Sequence, residues 1–392
     1  MDLVIVGAGP AGAWTACRLA RAGARVTIVD PSHPREKPCG GGVTGRALSV
    51  VAGAIDGTLP RVVIRSARVR DPSARSAIVS LADHNRPGDV SLVVASRREF
   101  DAALLAAAVR AGAKHVAARV AELGRRGSRH VLTLSTGDRI EAGWLIGADG
   151  ANSLVRRRLL APFRRNQLSI ATGFYAEGVT SDEIVLEIVG DPPGYLWSFP
   201  RPDHIAIGIG AQADAGATAN ALRSRAKRWI EDARLAPGAR LVPYSWPIPT
   251  LDAGDFESLV VGGPDWLLVG DAAGLVDPIT REGIFFALQS AEHAADALVG
   301  GANASAAYAR RLGEEIIPEL AKAATLKAGF FQPRFTALLL KALLESAGIR
   351  DVFADLVAGR QPYRTLRWRL LKTLEVGLAW KALARHPPGS AV

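Results

Sequence analysis

In the first thirty residues, the spacing of apolar and polar positions predicts a strand, a turn, a helix and a second strand, in that order. Residues 3–6 form an apolar, mostly β-branched run, and the turn Gly7-Ala-Gly-Pro-Ala-Gly12 follows it directly. Apolar positions then recur at helical spacing to about Ala22, where Gly23 can end the helix. A second apolar run leads to Asp30. This pattern predicts a βαβ-type start with an acid after the second strand.

The pattern changes along the rest of the chain. One strand is predicted over residues 116–123, and short alternating strands over 165–255 are typical of an antiparallel sheet. Apolar residues of a buried parallel strand return before Asp271, a helix begins near Gly283, and the chain beyond residue 303 is predicted to be helical. We expect an α/β fold with a discontinuous Rossmann-like nucleotide-binding domain (1–60, 92–160 and 260–302), interleaved with an antiparallel-sheet substrate domain (61–91 and 161–259) and followed by C-terminal helices (303–392).

The glycine turn has the chemistry of a dinucleotide site. Gly7 permits a sharp turn, Gly9 lets a pyrophosphate approach the backbone, and Gly12 lets the helix pack closely on the strand. Asp30 lies 18 residues after Gly12, where an acid can bind both hydroxyls of an adenosine ribose. The stretch therefore predicts dinucleotide binding, but it does not separate FAD from NAD.

Charge and composition indicate which partners and which cellular compartment to expect. The 392 residues carry a formal charge of +10, and their 48% hydrophobic content is that of an ordinary globular protein. Much of the excess is arginine scattered among alanines, so we expect no nucleic-acid partner. Cys17 and Cys39 give no disulfide framework, and no apolar run is long enough to span a membrane. These features predict a cytoplasmic protein.

Basic residues concentrate near the end of the chain, at Arg360, Arg364, Arg367, Arg369, Lys372, Lys381 and Arg385. Such a segment is attracted to anionic lipid headgroups. The sequence therefore leaves open a peripheral attachment to the inner face of a membrane with an anionic surface.

Three widely separated motifs together resemble the fingerprints of the flavoprotein monooxygenase superfamily, which includes p-hydroxybenzoate hydroxylase. They are the glycine turn with Asp30, the Asp149-Gly150 turn, and Gly270-Asp271 after an apolar strand. Two further stretches, Lys37-Pro-Cys-Gly-Gly-Gly42 and Gly194-Tyr-Leu-Trp-Ser-Phe-Pro200, are similar to the geranylgeranyl reductase family of that superfamily. The resemblance implies that the dinucleotide is FAD.

The resemblance also implies the reaction, which is reduction of isolated C=C bonds in polyprenyl chains of lipids, quinones or chlorophyll precursors. It implies a cofactor site formed by Gly7, Gly9, Ala11, Gly12, Asp30, Gly42, Arg97, the backbone of Val120, Asp149, Asp271, Gly283 and Ile284. The corresponding substrate residues are Cys39, Tyr195, Trp197 and Phe199. One departure is Arg281, because the family usually has glycine there, in the pattern P-L-T-G-E-G-I.

The expected chemistry is hydride transfer from reduced flavin followed by protonation of the second carbon. A helix beginning at Gly283 would stabilise negative charge on the flavin through its free N–H groups. Cys39 and Tyr195 are candidate proton donors, with ordered water as a third. The electron donor is either NAD(P)H or a ferredoxin-like protein, and the histidine spacing gives no reason to expect a metal.

Two alternatives remain at this point. An oxygen-using monooxygenase has the same fold, and its halogenase branch needs a lysine beyond the glycine turn. No lysine lies between Lys37 and Lys114, which counts against halogenation and leaves hydroxylation open. A flavin-binding regulator without enzymatic activity is the third hypothesis, and the intact aromatic stretch at Tyr195 argues against it.

Overall fold

The computed structural model describes residues 1–55, 57–81, 90–301 and 303–373. The strands in these ranges are β1 (Asp2–Val6), β2 (Arg25–Val29), β3 (Gly42–Thr44), β4 (Arg61–Val63), β5 (Ser66–Arg70), β6 (Ser76–Ser80), β7 (Leu92–Ala95), β8 (Lys114–Val116), β9 (Val120–Arg126), β10 (Arg129–Leu134), β11 (Arg139–Ala142), β12 (Trp144–Gly147), β13 (Leu168–Glu177), β14 (Glu183–Val189), β15 (Gly194–Pro200), β16 (His204–Gln212), β17 (Arg240–Pro249), β18 (Gly262–Gly263) and β19 (Trp266–Leu268). The helices are α1 (Pro10–Arg21), α2 (Gly45–Val50), α3 (Arg97–Arg110), α4 (Leu154–Leu159), α5 (Ala219–Asp232), α6 (Ala253–Glu257), α7 (Ile284–Val299), α8 (Ala304–Glu315), α9 (Ile317–Phe330), α10 (Pro333–Glu345), α11 (Ala347–Val357) and α12 (Tyr363–Lys372).

A six-stranded sheet forms the nucleotide-binding part, in the order β18-β19-β12-β1-β2-β8. Its strands are parallel except at the β18 edge. The central strands are buried on both faces, with Leu3, Ile5, Leu145 and Ile146 fully inaccessible, as expected for a sheet covered by helices. Helix α1 packs against α7 and α3. The carboxyl ends of β1, β12 and β19 therefore meet at one edge, where ligands bind in such sheets.

The second large sheet has the order β17-β13-β16-β15-β14-β5-β6. It is antiparallel, as predicted, except that β14 pairs with β5 in parallel. That pairing joins two segments far apart in the chain, so it leaves no local pattern in the sequence. Helix α5 covers one face by packing Leu222, Ala226 and Trp229 into the core. The opposite face carries the aromatic side chains of β15.

Two small sheets correct details of the sequence prediction. The single strand predicted over 116–123 is two strands, because Val116 pairs with Val29 in the six-stranded sheet and Val120 pairs with Leu134 in the sheet β11-β10-β9. The other small sheet is β3-β7-β4. Both the predicted α/β class and the predicted interleaving of parallel and antiparallel sheets are confirmed.

Helices α8 to α12 form the C-terminal region, as the sequence predicts. Helices α10 and α11 pack against β6 of the large antiparallel sheet, so this region extends the substrate side of the molecule. The basic residues Lys381 and Arg385 lie outside the described residues. Among the described helices, none has both the length and the apolar character needed to cross a bilayer.

Candidate functional site

The glycine turn between β1 and α1 has little room for side chains at two of its three glycines. Gly7 has φ of +103°, and a Cβ there would lie 2.4 Å from the carbonyl oxygen of Ala148. A Cβ on Gly12 would lie 2.0 Å from the carbonyl oxygen of Gly7. At Gly9 the nearest protein atom would be 3.7 Å away. The fold therefore requires glycine at positions 7 and 12, whereas the space beside Gly9 is open to a ligand.

Asp30 follows β2 and is almost fully buried beside this turn. Its carboxylate accepts hydrogen bonds from the backbone N–H groups of Ala8 (3.0 Å), Ser32 (2.8 Å) and His33 (2.8 Å). Burial opposes ionisation, but these bonds and the adjacent His33 ring outweigh it and hold the pKa of Asp30 well below its usual range. Asp30 thus fixes the shape of the turn, and its contact with the ribose stays a prediction.

Arg97 is buried at the start of α3 and makes a two-point ion pair with Asp101, with distances of 2.9 and 2.8 Å. His33 Nε2 lies 3.2 Å from the same carboxylate. Burial alone would lower the pKa of His33, but its contacts with Asp101 and Asp30 raise it above its ordinary value. Arg97 lines the cavity described below, whereas the buried Val120 begins β9.

The two later acidic motifs approach the turn from β12 and β19. Asp149 accepts hydrogen bonds from Ser153 Oγ (2.5 Å) and from the Leu154 N–H (2.6 Å), so it caps the start of α4. Burial raises the pKa of Asp149. Asp271 forms an ion pair of 3.1 Å with Lys37. The strands before these two residues are neighbours in one parallel sheet. Of the two carboxylates, that of Asp271 lines the cavity described below, whereas that of Asp149 is turned toward α4, so their convergence on one cofactor stays a prediction.

Helix α7 begins beside Asp271, and a Cβ on its N-cap residue Gly283 would lie 3.3 Å from Asp271 Oδ1. Neither α7 nor α1 has a side chain capping its N-terminus. Pro10 of α1 and both Gly283 and Ile284 line the same cavity. Two uncapped helix N-termini facing one space provide free N–H groups for a long anionic ligand. These residues fit the pyrophosphate and the flavin ring of FAD.

One continuous cavity of about 240 Å³, open to solvent at its mouth, extends from this region into the antiparallel sheet. Near the helix N-termini it is lined by polar groups and by the backbone of Gly40 to Gly42. Farther on, its wall is apolar and is formed by Val69, Leu92, Ile184, Leu186, Ile188, Trp197, Phe199, Phe330, Phe353, Leu356 and Val357. A cavity of this form accommodates a cofactor ring at one end and a long apolar chain at the other.

The three adjacent glycines allow a close approach between this loop and β15. Cβ atoms on Gly40 and Gly42 would lie 3.2 and 3.1 Å from the Phe199 ring, and one on Gly41 would lie 2.5 Å from the Ala95 carbonyl oxygen. The sequence predicts that the backbone of this loop closely approaches another group. In the structure, part of that close contact is with the protein itself, at Phe199 and Ala95. Tyr195, Trp197 and Phe199 share one face of β15, as their alternation predicts. All three line the cavity.

The two candidate proton donors have different surroundings. The Tyr195 hydroxyl donates a hydrogen bond of 2.5 Å to the Thr280 carbonyl oxygen, and burial raises the pKa of this phenol. Cys39 lines the cavity, and its Sγ accepts a hydrogen bond of 3.3 Å from the Gly41 N–H. The tyrosine proton is therefore engaged within the protein, whereas the bond to Cys39 leaves the thiol proton free.

Arg201 is a residue that sequence reasoning missed. It is fully buried after β15, donates a hydrogen bond of 2.7 Å to the Cys39 carbonyl oxygen, and lies 3.2 Å from Glu36. Glu36 in turn accepts a hydrogen bond from the Arg97 N–H. Arg201 thus connects the antiparallel sheet to the Cys39 loop. The cavity residues of α9 and α11 were also missed, because an apolar helix face predicts burial but not its partner.

Comparisons with known proteins identify the domain, the family and the fold. The family model for an FAD binding domain matches residues 1–204. The chain is 32% identical to digeranylgeranylglycerophospholipid reductase of Methanothrix thermoacetophila, over 90% of this chain and 92% of that protein. It is 29% identical to menaquinone reductase of Mycolicibacterium smegmatis, over 99% of each chain. A geranylgeranyl bacteriochlorophyll reductase-like protein from Thermoplasma acidophilum has a similar fold, with a TM-score of 0.78 at 22% identity, covering 95% of this chain and 98% of that one.

The matched domain and the similar reductases define an FAD-dependent oxidoreductase. Within that class, the chain belongs to the geranylgeranyl reductase family. The resemblance drawn from the sequence motifs is thereby confirmed, and so is the assignment of FAD as the dinucleotide.

Proposed function

We propose that this oxidoreductase reduces C=C bonds in a prenyl-type hydrophobic substrate. The observation that carries the proposal is the single cavity that joins the helix N-termini beside Asp271 to a long apolar wall. Bound FAD, when reduced, would supply the hydride. Relatives that are named as a prenyl-phospholipid reductase and a menaquinone reductase support the substrate class.

In this proposal, residues at different positions along the cavity have different roles. The N–H groups at the start of α7 stabilise negative charge on the flavin ring. Trp197, Phe199 and the side chains of α11 bind the apolar chain and exclude water from the reacting carbons. Cys39, between the polar and apolar ends, lies where a proton can be delivered to the second carbon.

The deciding experiment is anaerobic. The FAD-loaded protein is reduced with dithionite, which replaces the physiological reductant, whether NAD(P)H or a ferredoxin-like donor. Geranylgeranyl lipids or prenylated quinones are then added while flavin absorbance and product mass are followed. We expect reoxidation together with the gain of a pair of hydrogen atoms per reduced bond. A fully saturated substrate should leave the flavin reduced.

Flavin that stays reduced with every unsaturated substrate would overturn the reductase proposal. If admitted oxygen then gave a hydroxylated product, the monooxygenase alternative would replace it.

Replacing Cys39 with alanine should slow substrate-dependent flavin reoxidation by roughly 100-fold, the usual effect of removing a general acid. Tyr195→Phe should slow it only a few-fold, because the Tyr195 proton is held by the Thr280 carbonyl oxygen. Stopped-flow absorbance of the reduced protein measures both rates. Cys17→Ala removes the buried thiol of α1 and serves as the matched control. A normal rate in Cys39→Ala would exclude this thiol as the proton donor.

We also propose attachment to an anionic membrane through α12. Trp368 on this helix is 68% exposed, and the neighbouring Arg367 and Lys372 are exposed as well. An exposed indole beside basic side chains suits the headgroup region of a bilayer.

The double variant Arg367→Gln/Lys372→Gln should bind phosphatidylglycerol vesicles roughly 30-fold more weakly, because each basic residue contributes about 1 kcal/mol near such a surface. Vesicle co-sedimentation measures the binding, which added salt should weaken. Arg126→Gln, at an equally exposed position in β9, is the control. Equal sedimentation with phosphatidylcholine and phosphatidylglycerol vesicles would contradict the proposal.

A further inference from the structure

Arg281 departs from the family pattern, and its backbone is unfavourable for an arginine. It lies in the loop before α7 with φ of +61°, in the left-handed region where glycine is preferred. Its backbone N–H donates a hydrogen bond of 2.9 Å to the Asp277 carbonyl oxygen, which fixes this conformation. A side chain kept in such a position points to a role for the side chain itself.

The Arg281 guanidinium lines the cavity without a direct ion pair among the described residues. Lys37 and Arg97 line the same cavity, and each pairs with a carboxylate, Asp271 and Asp101 respectively. Among the described residues, no carboxylate lies within 4.0 Å of Arg281, and its buried Nε has no hydrogen-bond partner. Its Nη1 donates to the Pro278 carbonyl oxygen. A desolvated cation with unused N–H groups gains free energy from a ligand oxygen.

The neighbours of the guanidinium belong to the elements that form the substrate side of the molecule. The Cζ of Arg281 lies 5.8 Å from the centre of the Phe331 ring, at the end of α9, and its charge also acts on the buried Tyr195 of β15. Both neighbours belong to the antiparallel sheet and the C-terminal helices. Arg281 is therefore placed to contact the substrate.

The charge around Arg281 favours a neutral ligand over a polyanion. The Asp277 carboxylate is 3% exposed, acts electrostatically on Arg281, and accepts hydrogen bonds from the Ile279 N–H (2.7 Å) and the Tyr363 hydroxyl (2.9 Å). One cation and one buried anion together contribute no net charge. A diphosphate would need several cations, whereas a carbonyl oxygen needs only N–H donors.

We propose that Arg281 binds an uncharged carbonyl oxygen, of a quinone or an ester, at the head of the apolar substrate. This assignment rests on the proposed function, because it takes the cavity as the substrate site. The N–H groups of Arg281 hold the head of the substrate, and this contact sets how far its chain extends past Cys39. The contact therefore selects which double bond lies beside the flavin.

The test measures binding without turnover, by calorimetry on the oxidised FAD-loaded enzyme in detergent. The probes have saturated C20 tails and differ only at the head: a naphthoquinone, a diphosphate, and a hydrocarbon with no polar head. Arg281→Gly should weaken naphthoquinone binding by roughly 10- to 100-fold, the usual loss for a hydrogen bond to a charged group. The affinity for the hydrocarbon should change by less than about threefold, because the apolar contacts of the hydrocarbon remain.

Arg234→Gly is the matched control, because Arg234 is an exposed arginine with φ of +50° after α5. Like Arg281→Gly, this variant replaces a non-glycine residue that has a positive φ with glycine, so it removes the same kind of backbone strain. It should leave the affinities for all three probes unchanged. Absent naphthoquinone binding, equal losses for all probes in Arg281→Gly, or an Arg281-dependent preference for the diphosphate would overturn the proposal. Arg281-dependent quinone binding by a protein that reduces no C=C bond would support the carbonyl site and refute only the proposed function.

Discussion

Gly9→Ala is expected to weaken FAD binding while keeping the fold. An alanine Cβ at this position would lie 3.7 Å from the nearest protein atom, His33 Nε2, which is an ordinary van der Waals distance. The backbone of Gly9 has φ of −68°, which alanine adopts without strain. The same methyl group would occupy the space where a pyrophosphate approaches the start of α1. We expect an affinity loss of more than about tenfold, or 1.4 kcal/mol.

Gly12→Ala should give the opposite pattern, with the fold damaged first. Its Cβ would lie 2.0 Å from the Gly7 carbonyl oxygen, and neither piece of backbone can move without separating α1 from β1. We expect the apoprotein to lose about 3 kcal/mol or more of its free energy of unfolding. Urea denaturation of the apoprotein measures stability, and quenching of flavin fluorescence measures FAD binding.

Gly124→Ala is the neutral control for this pair, because a Cβ there would have no atom within 4 Å. Wild-type FAD affinity in Gly9→Ala would show that the cofactor does not lie against the first turn of α1. Wild-type stability in Gly12→Ala would contradict the close packing of α1 on β1.

The parts of this structure that the sequence predicted are those determined within a short stretch of chain. The elements β1, α1 and β2 follow from local rules. The spacing of the apolar residues predicts each element, and the glycine turn and Gly23 mark the two ends of α1, all within thirty residues. The alternation of Tyr195, Trp197 and Phe199 likewise determines which face they share. The placement of Asp149 and Asp271 after neighbouring strands of one sheet followed from the rule that parallel strands end at one edge.

The parts that the sequence did not predict depend on contacts between distant segments. Arg201 contacts the Cys39 loop, and Phe353 of α11 reaches the cavity, but neither residue carries a local mark of its partner. Asp30 shows a subtler limit. Its position after β2 was predicted, yet its hydrogen bonds to the protein depend on the turn at Ser32 and His33. The predicted domain boundaries stay predictions, and the cavity is lined by residues from both sides of them.

Arg201→Met is expected to be among the most destabilising substitutions in the chain. The arginine is fully buried, and its removal leaves the Glu36 carboxylate and the Cys39 carbonyl oxygen without a cationic donor. Breaking a buried pair from one side costs about 3 to 5 kcal/mol. Arg240→Met breaks an exposed pair of 3.3 Å with Glu177 and should cost less than about 1 kcal/mol. Urea denaturation of the FAD-loaded protein measures both changes.

A second comparison separates the role of Arg201 in positioning the Cys39 loop from its role in stability. Adding Glu36→Gln to Arg201→Met removes the unpaired charge, so part of the lost stability should return. The Cys39 carbonyl oxygen still lacks its 2.7 Å donor in the double variant, so the loop stays free to shift. Substrate-dependent flavin reoxidation should therefore remain slow even where stability recovers. If the rate recovered together with stability, Arg201 would hold the fold together without positioning Cys39.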